Sequence, residues 1–201
     1  MIDTTVEAIN LFMLKKDTYF FPAFGLPSGF YFDFYRKGDE VFWAELEFEL
    51  GQFSSTDRGI EVFRNEFLNN TELSPEERMI FVKDPDGKVV GTGTLWDGDF
   101  LGERLQRIHW IAVSDSCAGM CIGKAIVTRL LELHSELGYS SPIYLWTGTR
   151  YYPAVNMYRK FGFSLYEGER DPITANKNEE FARRNRIAIS IVNEKINKYR
   201  G

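Results

Sequence analysis

The chain has 201 residues, which suits one domain, or one domain with appendages, and is long enough to bury a core. Its 24 Lys and Arg stand against 29 Asp and Glu, and a net charge of −5 leaves no basic footprint for nucleic acid. Two cysteines and two histidines exclude a disulfide framework, and a four-ligand zinc site would need all of Cys117, Cys121, His109 and His134, whose spacing fits zinc patterns poorly. No metal is therefore expected. With 17 Phe, 10 Tyr and 4 Trp, the chain reads as globular. No run reaches the roughly 18 apolar residues of a membrane span. The apolar stretch 9–14 follows Asp3 and Glu7 and precedes Lys15-Lys16, unlike a signal peptide, so a cytoplasmic setting without membrane association is expected.

Residues 1–28 read as an N-terminal arm. Val6, Ile9, Leu11 and Leu14 fit one helical face, whereas residues 20–27 (FFPAFGLP) are too broken by Pro and Gly for a helix or a central strand. The aromatics there are too apolar for water, so the arm is expected to pack on the body or on a second copy of the chain, as a homodimer. Residues 29–35 alternate as a strand. A helix follows Gly38-Asp39, with Val41, Trp43, Ala44, Leu46 and Leu50 on its apolar side. Ser55, Thr56 or Asp57 can cap a second helix through Ile60, Phe63 and Phe67. Ser74-Pro75-Glu76-Glu77 spells a capping box for a short helix.

Strands at 79–82 and 89–95 flank Asp84-Pro85-Asp86-Gly87, a hairpin turn with Pro preset and Gly open to positive φ. A strand at 107–113 leads to an amphipathic helix at 123–137, with Ile126, Leu130, Leu133 and Leu137 on one face and Gly138 as its stop. A strand at 143–147, a helix at 153–161 ended by Gly162, and a strand at 163–166 follow. In the tail, Ile187, Ile189 and Ile191 alternate as a strand would. Phe181, Ala188, Ile191, Val192 and Ile196 keep a helical repeat, and a helix over about 177–198 is preferred. The expected architecture is a mixed α/β domain over 29–170, with the arm before it and 171–201 packed on it as a helical extension. The β-α-β-α-β run after residue 107 calls for parallel strands with right-handed crossovers.

The chemistry concentrates between that strand and helix, in Val113-Ser-Asp-Ser-Cys117-Ala118-Gly119-Met120-Cys121-Ile122-Gly123-Lys124-Ala125. Glycines at the start of a helix suit an anion, because backbone N–H groups and the positive end of the helix dipole collect there. A phosphate-bearing ligand is the natural guess. A P-loop is excluded, since Gly119 and Gly123 are separated by three residues and Ala125 has no hydroxyl for magnesium. The dinucleotide fingerprint Gly-x-Gly-x-x-Gly is not present. A third form to compare is a pyrophosphate cradle spelled Gln/Arg-x-x-Gly-x-Gly/Ala after a strand ending in Val.

On these residues the sequence resembles the GNAT superfamily of N-acetyltransferases over roughly residues 79–166. Ile111-Ala112-Val113 looks like the end of the family's central strand, whose backbone pairs with pantetheine. Ala118, Gly119, Met120, Cys121, Ile122 and Gly123, with Lys124 beside them, look like the acetyl-CoA pyrophosphate loop. Residues 152–163 (YPAVNMYRKFGF) are similar to the family's closing signature, with Ala154, Met157, Tyr158, Gly162 and Phe163 in its positions. The resemblance implies a GNAT-like twisted mixed sheet with parallel strands splayed around acetyl-CoA. It also implies direct acetyl transfer to an amine on a small molecule or peptide, without a metal. Three positions depart: Ala118 replaces Gln or Arg, Cys121 replaces Gly, and Tyr151 replaces the usual Asn. A Cβ at Cys121 carries a cost if that position needs positive φ.

Periodicity alone reads Tyr158 as a core tyrosine; the resemblance makes it the general acid for the departing CoA thiolate. His109 is either a sheet-face histidine with a fixed hydrogen bond or the general base that deprotonates the amine. His134 is expected to be exposed near its helix C-terminus. Cys117 and Cys121 have no evident base for a covalent route. Glu45, Glu47, Glu49, Asp57 and Glu61 suit a cationic amine, but a solvated helix face explains them as well. The degenerate loop keeps a second reading open: a non-catalytic CoA-binding or protein-interaction module.

Overall fold

The computed structural model describes residues 2–69 and 72–199. It is a mixed α/β fold in which seven strands form one mixed sheet, in the order β2-β3-β4-β5-β6-β1-β7, flanked by helices. The strands are β1 (Asn10–Lys15), β2 (Tyr31–Phe34), β3 (Met79–Lys83), β4 (Val89–Phe100), β5 (Glu103–Val113), β6 (Ile143–Gly148) and β7 (Ser164–Leu165). The helices are α1 (Glu40–Glu49), α2 (Thr56–Phe63), α3 (Pro75–Arg78), α4 (Ile122–Glu136), α5 (Tyr152–Lys160) and α6 (Glu179–Tyr199). The chain divides into two compact units. The first comprises residues up to 22, 97–107 and 138 onward; the second comprises 23–96 and 108–137.

In the first unit, β1 runs antiparallel to β6, from Asn10 opposite Gly148 to Lys15 opposite Ile143, and also antiparallel to β7. The helix expected from Val6, Ile9, Leu11 and Leu14 does not form. Leu11, Phe12 and Met13 are consecutive and all buried, which suits a strand covered on both faces and paired on both edges. The preceding residues are tied down too: Ile9 N–H donates to Thr149 Oγ1 (3.0 Å) and Arg150 Nε donates to the Val6 carbonyl (2.8 Å). Strands β4 and β5 reach further than expected, joined by Leu101 (φ 57°) and Gly102 (φ 89°). Two successive left-handed residues make the turn whose twist matches a hairpin. Phe12, Phe100 and Tyr144 form this unit's aromatic core. The tail is helical, as expected: Ala182, Asn185, Ala188, Val192 and Ile196 recur every three or four residues on the buried face of α6, and Ile187 is exposed.

In the second unit, β2 pairs with β3 and β3 with β4, all antiparallel. The 84–87 turn closes through Gly87 N–H to the Asp84 carbonyl (2.9 Å), with Gly87 at φ 84°. Ser55 caps α2 by accepting from Arg58 N–H (3.2 Å). The box expected at α3 is incomplete, because the Ser74 hydroxyl donates to Glu76 instead of capping a backbone amide. The core clusters around Trp43, with Tyr35, Phe63, Phe67, Phe81 and Trp96. Val41, expected on the apolar side of α1, is exposed.

Helix α4 lies close over β4 because two positions there are glycine. A Cβ built on Gly93 would stand 2.5 Å from Ile126 Cγ2 and 3.1 Å from Leu130 Cδ1; one on Gly91 would meet Ile126 Cδ1 at 3.2 Å. Gly93→Ala is therefore expected to cost about 1–3 kcal/mol of stability, and Gly91→Ala less, measured as the shift in urea midpoint. Equal midpoints for Gly93→Ala and the native chain would mean that α4 moves away freely.

Candidate functional site

The loop expected to hold phosphate follows directly from β5. Ser114 N–H still donates to the Val90 carbonyl (2.8 Å), a short turn spans 115–117, and Gly119 then takes φ 80°. Around the position of a Gly119 Cβ there is nothing within 4 Å among the described residues. Cys121 precedes α4 in the left-handed conformation (φ 61°, ψ 12°), and its carbonyl accepts the helix's first bonds, from Lys124 and Ala125 N–H. The Cys121 side chain does not cap α4, and among the described residues no other side chain does. Its first-turn amides, including those of Ile122 and Gly123, thus keep the donor capacity that an anion uses. Met120 and Cys121 are exposed, and Cys117 is buried. Lys124 lies over the Phe24 ring at 4.9 Å, with Nζ 3.7 Å from Cys121 Sγ. Phe24 N–H donates to Thr128 Oγ1 (3.1 Å), so this part of the expected arm is fastened to α4, whereas Phe20 is 80% exposed.

His109 and residues 111–113 lie on β5, in the same continuous strand–loop–helix segment as 118–124. Successive side chains of a strand point to opposite faces. Yet His109 Nε2 bonds to Glu66 Oε1, and Trp110 Nε1 donates to Glu66 Oε2 (3.0 Å). The cause is the backbone of Trp110, which has φ 48° inside the strand. That left-handed kink turns two neighbours toward one carboxylate. Glu66 itself sits on a π-helical turn, Arg64–Leu68, that continues α2.

The acidic residues of α1 and α2 divide. Glu45, Glu49, Asp57 and Glu61 are exposed, in keeping with a solvated face. Glu47 is not: it is 2% exposed, its Oε1 has no hydrogen-bond partner among the described residues, and burial pushes its carboxyl up to about 8. Trp43 Nε1, one helical turn earlier, is likewise buried without a partner among the described residues. His134 also departs from expectation. It is fully buried beside Leu130, Leu131 and Leu133 on the broad apolar face of α4, and burial pushes its imidazole down to about 4, so it is neutral at pH 7.

Tyr158 belongs to the first unit, on α5. It is 7% exposed, and its ring meets Phe163 edge-on at 6.0 Å. Burial pushes the phenol well above its usual range, so it holds its proton at neutral pH. The same unit contains a cavity of about 360 Å³, lined by Phe12, Trp146, Ile173, Phe181, Arg184 and Asn185. Its size suits a small molecule. Among the described residues no helix is long and apolar enough to cross a membrane.

Residues 30–163 match the family model for the acetyltransferase (GNAT) family. A curated relative, the amino-acid acetyltransferase of Mycobacterium tuberculosis, is 33% identical over 104 residues, 52% of this chain and 53% of that protein. The chain thus spans about half the length of that relative. A GCN5-related N-acetyltransferase from Sphaerobacter thermophilus superposes with a TM-score of 0.61 at 19% identity, over 79% of this chain and 49% of its own. A tandem GNAT protein from the clavulanic acid biosynthesis pathway gives 0.54 at 15% identity, over 82% of this chain and 52% of its own. At such identities the likeness is one of fold.

Proposed function

The chain belongs to the GNAT acetyltransferase family, and from that premise we propose that it transfers the acetyl group of acetyl-CoA directly to an amine. The observation that carries this reading is the 118–124 loop. It keeps left-handed turns at Gly119 and Cys121 ahead of a helix that, among the described residues, no side chain caps, and those residues leave open space beside Gly119. Those are the features a pyrophosphate needs, and they are backbone features, so Ala118 loses little by lacking a longer side chain. The backbone of residues 111–113 pairs with the pantetheine arm. The curated relative's name makes α-amines of amino acids the first acceptors to try.

An amine with a pKa near ~10 is mostly protonated at pH 7 and must lose a proton before it can attack. His109 accepts that proton. The amine nitrogen then bonds to the thioester carbonyl carbon, and the backbone N–H of Val113 or a neighbour holds the charge that builds on the carbonyl oxygen. As the C–S bond breaks, Tyr158 donates its proton to the thiolate; the second proton that the nitrogen sheds on becoming an amide passes through solvent to the Tyr158 phenolate, and His109 returns its proton to water. The products are an amide and CoA.

Titration calorimetry of the native chain with acetyl-CoA tests the loop assignment. One site per chain is expected, and the absence of binding would overturn it. Cys121→Gly is expected to bind acetyl-CoA at least as tightly. It relieves a left-handed residue worth about 1–2 kcal/mol, offset in part by the added chain entropy of glycine. Weaker binding in the same titration would show that the loop relies on the cysteine side chain.

A further inference from the structure

We propose that Glu66 is the positioning residue of the base, fixing the tautomer and orientation of His109; what the base does rests on the acetyl-transfer reading above. Two separate departures from regular structure converge on this contact. A bulky aromatic at φ 48° is a rare and costly backbone state, and it is held here inside a strand, at Trp110. A π-turn is also uncommon, and this one carries Glu66. If α2 continued as a regular α-helix and β5 as a regular strand, one of the two partners would be turned away. Both irregularities are explained by a single outcome: a carboxylate gripped at both oxygens, by His109 Nε2 on Oε1 and by Trp110 Nε1 on Oε2.

The chemistry of that grip is directional. With Nε2–H donating to Glu66, the lone pair of a neutral imidazole sits on Nδ1, which is therefore the nitrogen that takes a proton. The carboxylate then stabilises the imidazolium it has helped to form. Trp110 prevents the carboxylate from rotating away during that change. Glu66 and Phe67 face His109 from the π-turn, the latter with ring centres 6.1 Å apart, and Trp110 lies 5.6 Å away on its own strand. Both Glu66 and His109 are mostly buried, with side chains 26% and 19% exposed, so solvent screens the pair only in part.

The test is a side-chain NMR titration of histidine on the full chain, paired with the pH dependence of kcat/KM. The chain has two histidines, and His134 titrates far below the ordinary range, near 4, so the two curves separate. Glu66→Gln is expected to lower the His109 midpoint by about one pH unit or more, because it removes the adjacent negative charge. The acidic limb of kcat/KM should move down with it, and the maximal rate should fall at least about tenfold with the KM for acetyl-CoA unchanged. Trp110→Phe, which keeps a ring but loses the N–H, should shift the midpoint in the same direction by less, and it serves if Glu66→Gln does not fold. An unchanged His109 midpoint in both variants overturns the assignment. So does a lowered midpoint with an unmoved acidic limb. A native chain that binds acetyl-CoA but acetylates no amine refutes the acetyl-transfer reading instead, while the NMR titration still reports whether Glu66 governs His109.

Discussion

Tyr158→Phe is expected to cut turnover a hundredfold or more at pH 7 while leaving the affinity for acetyl-CoA within about twofold, which is the scale of losing a positioned general acid. Phe preserves the ring that packs edge-on against Phe163. It removes only the hydroxyl, so folding stability should change by no more than about 1 kcal/mol. Burial holds this phenol protonated well beyond neutrality, which loads it as an acid. Burial also makes the proton harder to release, so the transfer depends on the thiolate generating its own demand as the C–S bond breaks. A thiol has a pKa near ~8.5, and above about pH 9 a thiolate can leave without help. The deficit of Tyr158→Phe should therefore narrow with rising pH. Rates equal to the native chain at pH 7, measured as free CoA released, would remove Tyr158 from the acid role.

The second large effect concerns stability and pH. Burial makes Glu47 bind its proton more tightly folded (about 8) than unfolded (4.5). Its contribution is complete below about pH 4.5 and is lost as pH rises toward 8. His134 works in reverse: it binds its proton less tightly folded (about 4) than unfolded (6.5), so its contribution is complete above 6.5 and is lost as pH falls toward 4. Between 4.5 and 6.5 the two slopes oppose each other. Of these two groups Glu47 alone is still titrating from about 6.5 to 8, and its contribution to stability should fall by about 2 kcal/mol. Glu47→Gln removes that slope and should raise stability at pH 8 by roughly 2–3 kcal/mol, since the amide needs no proton to stay neutral. Urea unfolding at pH 6.5 and 8, native against variant, decides the matter. A flat native profile, or a variant less stable than the native chain at pH 8, would mean that Glu47 is charged and paired in the folded chain.

Much of the fold could be read from local chemistry. Asp84-Pro85-Asp86-Gly87 specifies its turn whatever surrounds it, and the spacing of Ile126, Leu130 and Leu133 marks α4. The misreadings lie where a distant partner decides. Leu11, Phe12 and Met13 form a strand because β6 and β7 flank it, and the four-residue apolar run 11–14 carries no period strong enough to say so. The β4–β5 turn places Leu101 at φ 57°, a residue type that gives no turn signal. His134 is buried because the apolar arc of α4 is wider than the single stripe its spacing suggests. In the candidate site, the turn ahead of α4 was legible from its glycines, of which Gly119 takes φ 80°. Glu66 was not: it stands 43 residues before His109, and the π-turn and kinked strand that join them arise from packing. Cys121 stands where the resemblance calls for Gly, yet the backbone holds it left-handed without a glycine.

The central claim is most directly tested by amine-dependent release of CoA. Native chain, acetyl-CoA and a panel of amines led by amino acids are mixed, and free thiol is followed alongside the mass of the acceptor. Thiol release that requires an amine, with one acetyl group gained by the acceptor for each CoA formed, is the predicted result. Tight binding of acetyl-CoA with no amine-dependent release across the panel would contradict it and would make the chain a CoA-binding module without catalysis.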